Sequence, residues 1–272
     1  MMIQEINPYH FDNSYRNEKA TCNDKALSFK DGRICAEYDE ENRQLIFPNC
    51  EEGKEYIYAF SIDEEKYFLH FMEEETDETL FSMRDLMGLD LKENKEVFAA
   101  YSAYHLYEWY RTSRYCGACG EKLIYGDEER VMICPKCGNH VYPRINPAVI
   151  IGIKNGDKLL LTKYRTGFSQ NALVAGFTEF GETLEETVKR EVKEETGLNI
   201  KNIRYYKSQP WGIASDILAG YYCEVDGDDH IRMEQHELRY AEWVKREDII
   251  LQNKRYSLTN EMMERFKLGI EK

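Results

Sequence analysis

Apolar and polar positions change their period several times along the chain. From Tyr56 to Ile62 and again from Tyr67 to Met72 they alternate in short runs around an Asp63-Glu64-Glu65 turn, which predicts a small sheet within residues 1–92. Between Asn94 and Arg111 the spacing becomes helical, with Val97, Tyr101, Tyr104 and Trp109 among the apolar positions. Pro147 to Lys154 reads as a β-branched strand, Asn155-Gly156 as a hairpin turn and Lys158 to Lys163 as the return strand. Further on, Leu184, Val188 and Val192 recur every fourth residue, the buried stripe of an amphipathic helix. The chain shows no internal repeat, low-complexity tract or long Pro/Gly linker.

The polar positions of that last helix carry the chemistry. Glu191, Glu194 and Glu195 stand at i, i+3 and i+4, where helical side chains are neighbours and like charges cost about 0.2–0.5 kcal/mol per pair. A divalent cation with a preference for oxygen ligands, such as Mg2+, reverses that cost and leaves coordination positions for phosphate. Residues 176–198 read GFTEFGETLEETVKREVKEETGL. Within them Gly176, Glu182, Arg190, Glu191, Val192, Glu194, Glu195, Gly197 and Leu198 fill every fixed position of the Nudix box, so the chain resembles the Nudix hydrolase family. Glu185 and Glu186 lie at box positions of no fixed identity and read as solvated surface.

Cysteine spacing supplies a second motif. Cys116-Gly-Ala-Cys119 and Cys134-Pro-Lys-Cys137 form two CxxC pairs, the spacing of a four-cysteine zinc ribbon, and Gly120 and Gly138 follow where a tight knuckle turn is needed. Four thiolates complete the tetrahedral shell, so this zinc is structural and His140 is not needed as a ligand. Two disulfides are the alternative. Cys22, Cys35, Cys50 and Cys223 lack ligand spacing and read as small hydrophobes.

At 272 residues the chain is long for one domain, and the expected division is an N-terminal domain with its connecting helix (1–112), the zinc ribbon (113–143) and a catalytic domain (144–272). The net charge of −14 is uneven: residues 1–112 hold 25 acidic and 12 basic side chains, a balance of −13, which leaves −1 for the remainder. That balance argues against a broad basic track for nucleic acid, though not against docking of one RNA end. No stretch reaches the apolar length of a membrane span, and the expected location is the cytoplasm. No Walker-type loop, nucleophilic elbow or catalytic histidine pair is present.

A zinc ribbon followed by Val141-Tyr142-Pro143-Arg144-Ile145 and a Nudix box resembles the NADH pyrophosphatase (NAD diphosphatase) branch, and Ser208-Gln209-Pro210-Trp211 matches the start of that branch's SQPWPFPxS segment. The chain then departs, with Gly212, Ile213, Ala214, Ser215 and Asp216 in place of Pro-Phe-Pro-x-Ser, so that a stacking aromatic becomes Ile213 and a hydroxyl becomes the carboxylate of Asp216. The resemblance implies an α/β fold: a Nudix α/β/α sandwich with a mixed sheet, behind the ribbon and a small, mainly-β N-terminal domain. It implies catalytic roles for Arg190, Glu191, Glu194 and Glu195, and Mg2+ or Mn2+ held by the Ala175 carbonyl, Glu191, Glu195 and Glu237, the last six residues before Trp243, with His236 and Glu234 as competitors. Substrate contacts are implied for Glu129, Tyr142, Gln209, Pro210, Trp211, Gly212, Ile213, Ala214, Ser215, Asp216 and Thr259.

The expected activity is hydrolysis of the diphosphate bridge of NAD(H) to AMP and nicotinamide mononucleotide, with NAD-capped RNA as a further substrate, in a homodimer with no membrane partner. Two alternatives stand beside it. The altered segment could redirect the site to ADP-ribose or another nucleoside diphosphate derivative, or the ribbon could mark a non-catalytic, ligand-sensing regulator that binds nucleic acid.

Overall fold

The computed structural model describes residues 2–73, 76–165, 170–234, 238–252 and 256–271. The chain forms two compact units. One comprises Ile145–Trp211 and Asp216–Lys272 together with Met2, and the other Ile3–Arg144 together with Gly212–Ser215. Among the described residues no helix is long and apolar enough to cross a membrane.

The unit beginning at Ile3 opens with strands β1 (Phe11–Asp12), β2 (Lys25–Lys30), β3 (Arg33–Cys35), β4 (Glu37–Asp39), β5 (Gln44–Ile46), β6 (Ile57–Ile62), β7 (Glu65–Phe71) and β8 (Leu80–Ser82). Six of them make one sheet in the order β1-β6-β7-β2-β3-β8, while β4 and β5 pair with each other. The predicted alternation thus produces β6 and β7, joined through a turn at Asp63, whose φ of 51° is left-handed. Helix α1 (Met83–Gly88) is opened by the Ser82–Asp85 capping box and is followed by α2 (Lys95–Thr112). Tyr107 of α2 stacks on Phe29 of β2 with centroids 4.7 Å apart, which ties the long helix to the sheet. A three-stranded sheet of β9 (Ile124–Tyr125), β10 (Met132–Ile133) and β11 (His140–Val141) completes the unit.

In the other unit, β12 (Asn146–Asn155), β13 (Lys158–Tyr164) and β14 (Val174–Phe177) precede α3 (Leu184–Thr196), then come β15 (Ile200–Trp211), β16 (Asp216–Val225), β17 (Leu238–Lys245), a short 3-10 turn at Arg246–Asp248 and α4 (Leu258–Lys267). The strand order is β15-β16-β12-β13-β17, with β14 also on β12; β12 and β16 run parallel and every other pair antiparallel, a mixed sheet. The hairpin between β12 and β13 turns on Gly156 and Asp157, one residue later than predicted, since Asn155 still pairs with Lys158.

Strand alternation divides the core into two layers. Val149, Ile151, Ile153 and Leu160 face α3 through Val188 and Val192, whereas Ile150, Leu159 and Leu161 pack against Leu258, Met262, Met263 and Phe266 of α4. Helix on sheet on helix is the sandwich that the sequence predicts. Burying each such valine or leucine is worth roughly 1.5–3 kcal/mol, so the position of α3, and of the carboxylates on its flank, is set by its apolar stripe.

Candidate active site

The four cysteines of the ribbon are brought together, their sulfur atoms all within 4.8 Å of one another. Cys116 and Cys137 Sγ are 3.6 Å apart, and Cys119 and Cys134 Sγ 3.4 Å, close to the ~3.8 Å edge of a tetrahedron built on Zn–S bonds of about 2.3 Å. The two knuckles repeat one design. The Gly120 and Gly138 amides donate to the carbonyls of Cys116 and Cys134, and both glycines adopt left-handed φ of 74° and 72°. The backbone amides of Ala118 and Cys119 hold the Cys116 thiol down to about 6, in the range where it serves as a thiolate ligand. A donor set of four converging thiols fits structural zinc. Among the described residues it is the one group of three or more His, Cys, Asp or Glu side chains close enough to hold an ion. Of the other cysteines, Cys35, Cys50 and Cys223 are buried as expected, while Cys22 is exposed and is not part of a core.

Helix α3 starts at Thr183, whose side chain accepts from the Glu186 amide while the Glu186 carboxylate returns a bond to the Thr183 backbone. Glu186 is therefore a capping residue and not merely solvated surface, and Glu185 accepts a bond from Tyr221 at 3.4 Å. The helix ends on Gly197, which takes the left-handed C-cap at φ 72°. Two of the box glycines thus acquire physical reasons. At Gly176, on the strand facing the helix, a Cβ atom would run into the Glu191 carboxylate, so glycine there lets that side chain keep its position against the strand.

Arg190 organises the acidic face. Its Nε and Nη2 grip Glu182 at 2.6 and 3.0 Å, Nη1 reaches Glu191 at 2.7 Å and Glu194 at 3.0 Å, and Nη2 also bonds the Phe177 carbonyl at 2.8 Å. The guanidinium holds the Glu182 carboxyl down to about 2. The three box glutamates are not equivalent. Glu191 and Glu195 are 9% and 2% exposed, and Glu194 lies on the open side. Tyr164 approaches from β13, its hydroxyl 3.4 Å from Glu195 Oε1 and 3.5 Å from the Ala175 carbonyl oxygen. Burial raises the pKa of Tyr164, and the Glu195 charge adds to that, so it stays a donor. A backbone carbonyl and a buried carboxylate converging on one hydroxyl are hard oxygen donors of the kind that Mg2+ and Mn2+ take. Glu237 and His236 lie outside the described residues; Glu234 donates its amide to the Glu195 carbonyl.

The residues expected to touch substrate are placed as follows. Tyr142 is half exposed and donates to Glu129 at 2.9 Å, a pair formed within the ribbon. Gln209 is fully buried and its amide is committed to α4, donating to the Tyr256 carbonyl at 2.6 Å and accepting from the Leu258 amide at 2.9 Å. Its side chain acts as a brace between β15 and the helix start. Pro210 is exposed and Trp211 partly so, at the end of β15. Gly212, Ile213, Ala214 and Ser215 form the tip that groups with the Ile3–Arg144 unit, where Gly212 sits so close to the Tyr101 carbonyl that a Cβ there would clash. Asp216 is 6% exposed and its carboxylate accepts from Asn146 at 3.2 Å, which ties the side chain to β12. Thr259 lies in the first turn of α4.

Sequence reasoning missed Tyr164 as a part of the site and left Glu182 without a role beyond filling its box position. Tyr164 ends a return strand with no spacing that links it to Ala175 or Glu195; only strand pairing brings them together.

Residues 144–266 match the NUDIX domain family, and residues 111–142 match the NADH pyrophosphatase zinc ribbon domain. A protein of Photobacterium profundum named NAD-capped RNA hydrolase NudC is 35% identical over 169 residues, 61% of this chain and 61% of its own length. The protein of the same name from Shigella flexneri is 40% identical over 144 residues, 52% of this chain and 55% of its own. The chain thus spans less than two thirds of the length of these relatives. A crystal structure of a NUDIX hydrolase from Nitrosomonas europaea superposes with a TM-score of 0.50 at 22% identity, over 57% of this chain and 91% of that one, which shows a shared fold.

Proposed function

From the premise that this chain belongs to the Nudix hydrolase family and carries the zinc ribbon of its NADH pyrophosphatase branch, we propose that it hydrolyses the diphosphate bridge of NAD(H), yielding AMP and nicotinamide mononucleotide. The observation that carries this reading is the box helix, with two buried carboxylates beside a strand that has only glycine at the point of contact. The Ala175 carbonyl, Glu191 and Glu195, with Glu237, would hold Mg2+ or Mn2+. When bound there, the metal supplies charge neutralisation on the phosphate oxygens and makes a neighbouring water more acidic. Glu194, on the open side of the helix, takes the proton of the attacking water. Arg190 fixes Glu191 and Glu194 in register and gives up its remaining donors to Glu182 and the Phe177 carbonyl. The ribbon's zinc stays out of the reaction, because four thiolates fill its coordination sphere.

The relatives named for NAD-capped RNA support a second form of the same substrate, a transcript whose 5' end carries the identical bridge. Cytoplasmic location and homodimerisation belong to the same proposal. Departure from the SQPWPFPxS pattern at Gly212 to Asp216 favours ADP-ribose as the competing substrate. Incubating the protein with Mg2+ and, separately, NADH, NAD+, ADP-ribose and NAD-capped RNA, with products identified by mass spectrometry, tests the proposal. AMP and nicotinamide mononucleotide from NAD(H) are expected. Rapid turnover of ADP-ribose with no AMP from NAD(H) would transfer the assignment to the alternative.

A further inference from the structure

Arg190 serves Glu182, Glu191 and Glu194, but Glu195, one residue further along α3 and 2% exposed, is met from the opposite direction by a residue of the sheet. Tyr164 is the last residue of β13, four positions beyond Leu160, which faces the α3 layer. The register slips at this point, with Lys163 opposite Tyr240 and Tyr164 opposite Leu238, so that β17 carries one extra residue across from it. Such irregularities bend a strand end and re-aim its side chain. The tyrosine hydroxyl ends up 3.4 Å from Glu195 Oε1, 3.5 Å from the Ala175 carbonyl oxygen and 3.5 Å from the Leu173 carbonyl oxygen.

One hydroxyl carries one proton, so it satisfies one of these three acceptors at a time. The Glu195 carboxylate and the Ala175 carbonyl thus lie within 3.5 Å of the same hydroxyl, and their charge and dipole attract a cation to that side of the helix. We propose that Tyr164 is a positioning residue for the divalent cation: its O–H, donated to the Glu195 carboxylate, steers that carboxylate toward an ion shared with the Ala175 carbonyl. The inference rests on the reading of Ala175 and Glu195 as metal ligands. Partners of this kind, which touch a ligand and not the ion, typically change metal affinity by about 10–100-fold when removed.

The test is a Mn2+ titration of the full, zinc-loaded chain without substrate, followed by electron paramagnetic resonance of free Mn2+, for native protein, Tyr164→Phe and Glu195→Gln. Tyr164→Phe should bind Mn2+ at least ~10-fold more weakly, and the Mn2+ needed for half-maximal turnover should rise by the same factor. Thermal unfolding and bound zinc should match the native protein. Tyr164→His, which restores an N–H donor on a ring, should regain part of the lost affinity. Native affinity in Tyr164→Phe, within twofold, would overturn the positioning role while leaving the metal site intact. Equal losses in the Phe and His variants would assign Tyr164 to packing and overturn it likewise. If the native protein binds no Mn2+, or Glu195→Gln binds it as well as the native protein, the metal site falls and the proposal with it.

Discussion

The zinc ribbon and the box helix both crowd like side chains together, four thiols in one and glutamates in the other, and they balance the crowding by different means. In the ribbon, four sulfur atoms lie within 4.8 Å of one another, two pairs of them at 3.4 and 3.6 Å, supported by backbone amides within two glycine knuckles. On α3, one guanidinium ties three glutamates together and the helix is anchored by buried valines, a capping box and a left-handed glycine. The ribbon sheet has strands of only two residues each. The difference teaches that four converging thiols with short strands around them depend on an ion for folding, whereas the box helix is held in place by its own side chains.

The largest effect that can separate the two regions is expected from Cys116→Ser. A structural zinc contributes on the order of 10 kcal/mol, so this variant should lose its zinc and expose residues 113–143 to protease, while the unit that contains α3 keeps its protection. Zinc content and limited proteolysis read this out, and full zinc occupancy with an intact ribbon would erase the contrast. Next comes Glu195→Gln, which should lower turnover by at least ~100-fold with an unchanged melting temperature. Near-native turnover would show that the buried box carboxylate is structural after all.

A smaller effect follows from Arg190→Gln. In the native protein Arg190 lowers the Glu182 pKa from 4.5 to about 2. A depressed carboxylate contributes stability above its unfolded pKa and loses it as the pH falls through the folded one. Native stability should therefore drop between pH 4.5 and about 2 in part through this pair. Arg190→Gln should be less stable at neutral pH and show a shallower acid limb. Melting temperature against pH in both proteins checks this; parallel curves would mean that the guanidinium does not balance the acidic face. The smallest effect is expected from Ile213→Phe, where a regained stacking partner worth about 1 kcal/mol should raise the ratio of NAD(H) to ADP-ribose turnover roughly fivefold. An unchanged ratio would remove stacking at this position from the account of specificity.

Much of the fold was legible because local pattern and burial agree. The alternating runs became β6 and β7, the β-branched strand and its return became β12 and β13, and the fourfold stripe of Leu184, Val188 and Val192 became the inner face of α3. The candidate site was legible where it is local: Arg190 and the box glutamates share one helix, so their spacing sets their neighbours. It was opaque where it depends on long-range pairing. Gln209 carried a substrate-contact expectation, and its side chain bonds the backbone of Tyr256, just before α4, and of Leu258, the first residue of α4, 47 and 49 residues away. Asp216, a carboxylate where the branch has a hydroxyl, is buried against Asn146, its partner across the parallel pair β12–β16.

By itself the sequence determined which residue types could hold each metal, because ligand chemistry and helical or knuckle spacing are properties of short segments. Tertiary structure alone decided that Gly176 must clear Glu191, that Tyr164 meets both Ala175 and Glu195, and that Gln209 is a brace. Those contacts join strands and helices distant along the chain, and their geometry is set by sheet register and by the packing of α3 and α4 against the two faces, which no local pattern encodes.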